Sequence, residues 1–188
     1  MTATVIRRNR SLEPKNKIHP PQYTRSKMEG KMKTLSVWQP AAGLLVSGRK
    51  TIENRSRPLL QPNKWEYPFW TLIHSSKQRI KGPVTSNPKH QALIDKEDLA
   101  DYPTGVILGA VCFSGVHPVA EVQSEWASGP FCHTVQDYFA LPNPVPYKGQ
   151  LGLYNIDPVD LGYENLEAIA SHFPSAESPF DFFVPQRR

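Results

Sequence analysis

Cysteine is scarce: the 188 residues hold two, Cys112 and Cys132. Two do not make a disulfide framework, and Cys112 sits inside an apolar run that reads as core. A reducing compartment, the cytoplasm, is therefore expected. Long apolar runs are lacking too, since nothing approaches the ~18 residues a membrane span needs. The first residues show no apolar stretch of the secretory-signal type. Arg7, Arg8 and Arg10 suggest a transit peptide, but Glu13, Pro14 and the Pro20-Pro21 pair oppose it. Also missing are a Gly-x-Ser-x-Gly elbow, a phosphate loop and a dinucleotide fingerprint. Cys132-His133 has no second Cys/His pair at zinc spacing. Neither a metal nor a cofactor is expected, and no internal repeat is visible.

What is present begins with turn formers, 19 prolines and 11 glycines, which predict short connections and no long helices. Charge is unevenly placed. Residues 1–33 carry nine Lys or Arg against two Glu, and residues 48–96 carry ten against three acids. Residues 97–188 reverse the balance, with three basic and twelve acidic residues. A basic face beside an acidic one steers anionic ligands to one side; scattered solvated charge is the plainer alternative.

Residues 1–31 are polar, basic and without apolar period, so they read as a disordered extension. Domain-like sequence starts at Met32, which could serve as an alternative start, and runs over 32–188 as one unit. Lys33–Trp38 alternates and predicts a strand. Pro40 suits the start of a short helix, Ala41–Ser47, closed by Gly48. Lys50–Arg57 predicts a second strand and Trp70–His74 a buried one. Residues 75–104 read as a loop with a helix around His90–Ala100. Gly105–Val119, the longest apolar run, predicts a central strand. Phe131–Tyr138 and Gly149–Ile156 predict further strands joined by a Pro-rich 142–146 loop. Tyr163–His172 has helical spacing. Five or six strands, few helices and no βαβ alternation predict an α+β fold, a small mixed barrel.

The densest signal is Leu35–Arg55. It contains Gln39-Pro40 opening a helix, then Gly48-Arg49-Lys50-Thr51-Ile52-Glu53-Asn54-Arg55. His74-Ser75-Ser76-Lys77 follows, then Gly129-Pro130-Phe131 and Lys148-Gly149-Gln150-Leu151-Gly152-Leu153-Tyr154. In this order, over about residues 32–156, the chain resembles the activating-signal-cointegrator homology (ASCH) domain, a branch of the PUA-like barrels. The resemblance implies a PUA-like β-barrel of five to six strands with short flanking helices, and a cleft between the first helix and the barrel. It implies an RNA or nucleotide partner, with DNA as a second possibility. Some members cleave RNA or deacetylate a modified cytidine. Two departures stand out. Ala41 occupies a position where the family often has Trp, removing a stacking surface or widening the pocket. Glu53 stands where the cytidine-deacetylating members have Thr, so a Lys-activated Thr nucleophile cannot form there.

Period-2 alternation puts Thr51, Glu53, Arg55 and Arg57 on one face and Ile52 with Asn54 on the other. Ile52 belongs in the core, so Glu53 and Arg55 point to the cleft, and Lys50 acts from the turn. The candidate nucleic-acid contacts are Trp38, Gln39, Lys50, Thr51, Glu53, Arg55, Arg57, Lys77 and Lys148. If the chain is instead a metal-independent hydrolase of RNA or an acylated nucleoside, Lys50, Glu53 and His74 are the candidate catalytic groups. Each has a bland alternative. For Glu53–Arg55 it is a salt bridge closing the barrel, for Lys50 an exposed turn lysine, and for Gln39 a tie to loop backbone. For His74 it is a satisfied core histidine, and for Lys77, Arg79 and Lys81 a solvated loop. A protein-adaptor role using the acidic part is a third reading, its partner unknown.

Overall fold

The structure, a computed structural model, describes residues 30–78, 87–174, 176 and 178–188. Arg79 and Lys81, and all but the end of the basic extension, lie outside the described residues. Among the described residues six strands form one mixed sheet: β1 (Met32–Val37), β2 (Ile52–Arg55), β3 (Phe69–Ser75), β4 (Val106–Pro118), β5 (Phe131–Pro146) and β6 (Leu153–Ile156), in the order β2-β5-β4-β3-β1-β6. Only β1 and β3 run parallel; the other ladders are antiparallel. Among the described residues three α-helices accompany them, α1 (Ala41–Val46), α2 (Pro88–Ile94) and α3 (Tyr163–His172). The class is α+β.

Alternation along the strands divides the core in two. Met32, Trp70, Leu72, Ala110, Cys112, Tyr154 and Ile156 face α3 and the C-terminal Phe180 and Phe183. Leu35, Val37, Phe69, Ile73, Val111 and Phe113 face Ala42 and Leu45 of α1. With both faces covered, every residue of β3 is buried, which explains its continuous apolar spelling. Ile52 is buried apart from both cores, in a small cluster with Ala127 and Cys132. Its assignment to the main core is thereby corrected: β2 sits at the sheet edge, where residues 122–127 cover it.

Two expectations change in detail. The Pro-rich 142–146 stretch is not a loop but the end of the 16-residue β5. Past Val135, β5 pairs only with β4, and a bulge opposite Leu108 absorbs Leu141–Pro144. Prolines, lacking an N–H, are tolerated on such a one-sided, bulged strand. The barrel, secondly, is not closed. Among the described residues no ladder joins β2 to β6, yet the sheet curls until both edges line one hollow of about 400 Å³, with Arg55 and Arg57 on one side and Gly152 and Leu153 on the other. No helix of the described residues is long and apolar enough to cross a membrane.

Candidate functional site

The C-terminal ends of the parallel pair β1 and β3 open into two adjoining hollows. Ser36, Trp38 and Arg55 line both.

The inner hollow, about 250 Å³, is built on the turn between α1 and β2. Gly48 ends α1 at φ +72°, and the Lys50 amide returns to Leu44 O at 3.0 Å. This reversal turns the Lys50 side chain inward, where it is 2% exposed. Its Nζ donates to Ile52 O and, at 3.1 Å, to Glu53 Oε2. Lys50 is thus a buried lysine rather than an exposed turn residue. Glu53 is also buried, and its Oε1 lies 3.7 Å from an Arg55 guanidinium nitrogen, too far for a hydrogen bond. Arg55 keeps 27% of its side chain exposed. Ile52 and Asn54 turn the other way. Asn54 Nδ2 donates to Trp126 O at 2.7 Å, and its Oδ1 accepts from Ser128 and Gly129 N–H at 3.0 and 3.2 Å. Ala41 lines the inner hollow, where a Trp side chain would occupy space.

The far wall was not foreseen. Asn87 caps α2, accepting from Lys89 and His90 N–H, with Pro88 in the first turn. That cap places His90 and Ile94, four residues apart, on one face toward the hollow. His90 is buried edge-on to Trp126, with Nδ1 2.8 Å from Ser128 Oγ. Burial, aided by the Lys50 charge and opposed by Glu53, pushes its pKa down to about 4. The Asn-Pro start was the available signal; it sets the helix at 88–94 rather than 90–100.

The outer hollow is wider, about 950 Å³, and His74 shapes its floor. His74 Nε2 lies 3.1 Å from Tyr147 O. A carbonyl only accepts, so Nε2 carries the proton and Nδ1 accepts from Ser36 Oγ at 3.1 Å. Burial lowers the His74 pKa against the pull of the Tyr147 carbonyl, and the nearby Lys77 charge lowers it further. With both nitrogens engaged, His74 holds the 147–149 loop in place. A Cβ at Gly149 would meet His74 Nδ1 at 2.7 Å and Ser36 Oγ at 2.8 Å, so only glycine permits this approach. Lys148 and Lys77 are exposed on the rim, the Lys77 stem lying over Gly105. Trp38 is 48% exposed where the hollows meet.

The site residues expected from sequence therefore separate. Lys50, Glu53, Arg55 and Trp38 share the inner hollow, while His74, Lys77 and Lys148 line the outer one. Arg57 lies farther along, in the gap between β2 and β6. Thr51 is exposed and lines none of the three hollows. Gln39 is buried; it donates to Pro103 O at 2.8 Å and accepts from Gly43 N–H at 3.0 Å. Its amide fastens α1 to the 103 loop and does not face the hollows. Among the described residues, no group of three or more His, Cys, Asp or Glu could hold a metal ion.

No protein-family model and no curated protein matches the chain. Among solved structures, an ASCH protein from Zymomonas mobilis is similar at 14% identity and a TM-score of 0.43, covering 72% of this chain and 93% of its own. A single-residue variant of that protein is similar at 13% identity and a TM-score of 0.41, covering 74% and 94%. The resemblance of this chain to the ASCH domain rests on its ordered motifs.

Proposed function

We propose that the two hollows form one cleft that binds RNA or a nucleotide. The observation that carries this reading is their charge: among the described lining residues, Lys50, Arg55, Lys77 and Lys148 stand against the single carboxylate of Glu53. Three of these cations stand at or near solvent, where phosphate can reach them, and Arg55 has only a loose partner. Trp38 offers an exposed face for a base, worth roughly 1–3 kcal/mol in stacking. The buried Lys50–Glu53 pair supports a functional site from another direction. Such pairs add little net stability over apolar side chains of similar volume, so folding alone gives weak reason to keep one beside a cleft.

Hydrolysis by Lys50, Glu53 and His74 has less support. His74 lines the other hollow with both ring nitrogens engaged, so the three groups do not meet. Titration of the full chain with short labelled RNA and DNA oligomers at low salt, followed by fluorescence anisotropy, tests the proposal. Saturable binding weakened by Arg55→Ala is expected; no binding to either polymer overturns it.

A further inference from the structure

The third hollow, the seam where the curled sheet stays open, has no role in the account so far. β2 and β6 are the edge strands, each paired on one side only, and the space between them measures about 400 Å³. It joins the cleft rather than standing apart from it. Arg55 lines all three hollows, and Gly152 lines both the outer one and the seam. At Gly152 φ is +69°, and an added Cβ would meet no atom within 4 Å. Open space thus adjoins the backbone where the seam and the outer hollow meet.

Charge narrows the occupant. The described residues lining the seam include Arg55 and Arg57 and no carboxylate. Arg57 is exposed and forms no ion pair with any described residue. The exposed Lys31 and Arg49, by contrast, are held by Asp157 and Glu97. A free guanidinium presents five N–H donors in a planar fork that fits a phosphate. Pro58, Leu59 and Leu153 supply the apolar part of the lining, against which a ribose or base can lie. A protein strand is the other occupant of such a gap, because sheet edges carry unpaired backbone groups. Here each edge strand is only four residues long, and strand pairing makes no use of two arginines.

We propose that the seam extends the cleft and takes a second phosphate on Arg57, so that the ligand is a single strand of two or more nucleotides. This rests on the nucleic-acid reading above and deepens it. Hollows of about 250 and 400 Å³ are near the size of small-molecule pockets, ~300–1,000 Å³, and admit one strand rather than a duplex.

The test is NMR titration of the full chain with uridine and adenosine 5′-monophosphate and with 5′-phosphorylated oligouridylates and oligoadenylates of two to four nucleotides. Affinity should rise about fivefold or more from mononucleotide to tetranucleotide, and the Ser56 and Arg57 amide signals should move only with the longer ligands. Arg57→Gln should lose about three- to tenfold of the tetranucleotide affinity, with mononucleotide binding unchanged. The same variant should make the tetranucleotide's salt slope shallower by about 0.7, separately from what Arg55, Lys77 and Lys148 contribute. Lys64→Gln removes an equal charge from an exposed residue outside the three hollows and should leave both affinities as they are. Affinity that does not grow with length, Arg57→Gln no weaker than Lys64→Gln, or Ser56 and Arg57 signals that stay still at saturation overturns the seam subsite and leaves the cleft reading intact. Movement of those signals with oligoglutamate but not with RNA assigns the seam to an acidic protein segment and overturns the subsite likewise. Failure of the mononucleotides and of RNA and DNA oligomers to bind overturns both.

Discussion

Replacing Lys50 by Met keeps most of the side-chain stem but deletes the ammonium. Glu53, 5% exposed, then retains only Arg55, at 3.7 Å. Removing one partner of a buried ion pair costs about 3–5 kcal/mol, because the other charge stays buried. The remaining Arg55 contact puts Lys50→Met near the lower end, about 3 kcal/mol, a large share of the roughly 5–15 kcal/mol typical of a domain. Urea unfolding reads this directly. With a slope of about 2 kcal/mol per M, the midpoint should fall by about 1.5 M while the slope stays constant. Adding Glu53→Gln removes the stranded charge and should return about 1–2 kcal/mol, so the pair couples in a double-mutant cycle. A Lys50→Met midpoint within about 0.3 M of the parent, or a double variant no more stable than the single one, refutes the buried-pair argument.

Asn54→Ala strands the Trp126 carbonyl and the Ser128 and Gly129 amides; a loss of about 2 kcal/mol is expected, with faster hydrogen exchange at Ser128 and Gly129. Gly149→Ala forces its new methyl onto His74 and Ser36, which should cost about 1–3 kcal/mol and weaken oligomer binding by displacing Lys148. An unchanged Tm and affinity would show that the loop yields freely. His90 and His133 both have pKa values pushed by burial from 6.5 down to about 4. The unfolded chain takes up these protons below pH 6.5 and the folded chain does not until about pH 4. Stability is thus complete above pH 6.5 and falls between 6.5 and 4, by on the order of 3 kcal/mol for each histidine. Chemical denaturation at about pH 7.5 and pH 5 checks the sign; equal or greater stability at the lower pH contradicts it.

Where apolar periodicity was strong, the sequence was a reliable guide. Tyr163–His172 is helical over the expected span, β1, β3 and β4 fall within a residue or two, and Glu53 and Ile52 face opposite ways as alternation requires. Boundaries failed where tertiary pairing decides them. Prolines at 142, 144 and 146 spell a loop, yet lie in a strand that is free on one side. Strand counting could not show that the curled sheet stays open between β2 and β6, because closure depends on register. Motif spacing singled out Lys50, Glu53, Arg55 and Lys148, which line hollows in the structure, but could not divide them between two. It left open whether Gln39 faces the cleft or holds backbone; the structure engages its amide with Pro103 O and Gly43 N–H. His90 was missed because its place in the wall of the inner hollow depends on the neighbours α2 brings it to, Ser128 and Trp126, nearly forty residues away in the chain.

The salt dependence of RNA binding tests the central claim most directly. Each phosphate contact to a single strand contributes about −0.7 to the slope of log K against log salt concentration. Arg55, Lys77 and Lys148 together predict a slope near −2, and Arg55→Ala should make it shallower by about 0.7. A slope near zero, or one that Arg55→Ala leaves unchanged, would contradict a phosphate-binding cleft at these residues.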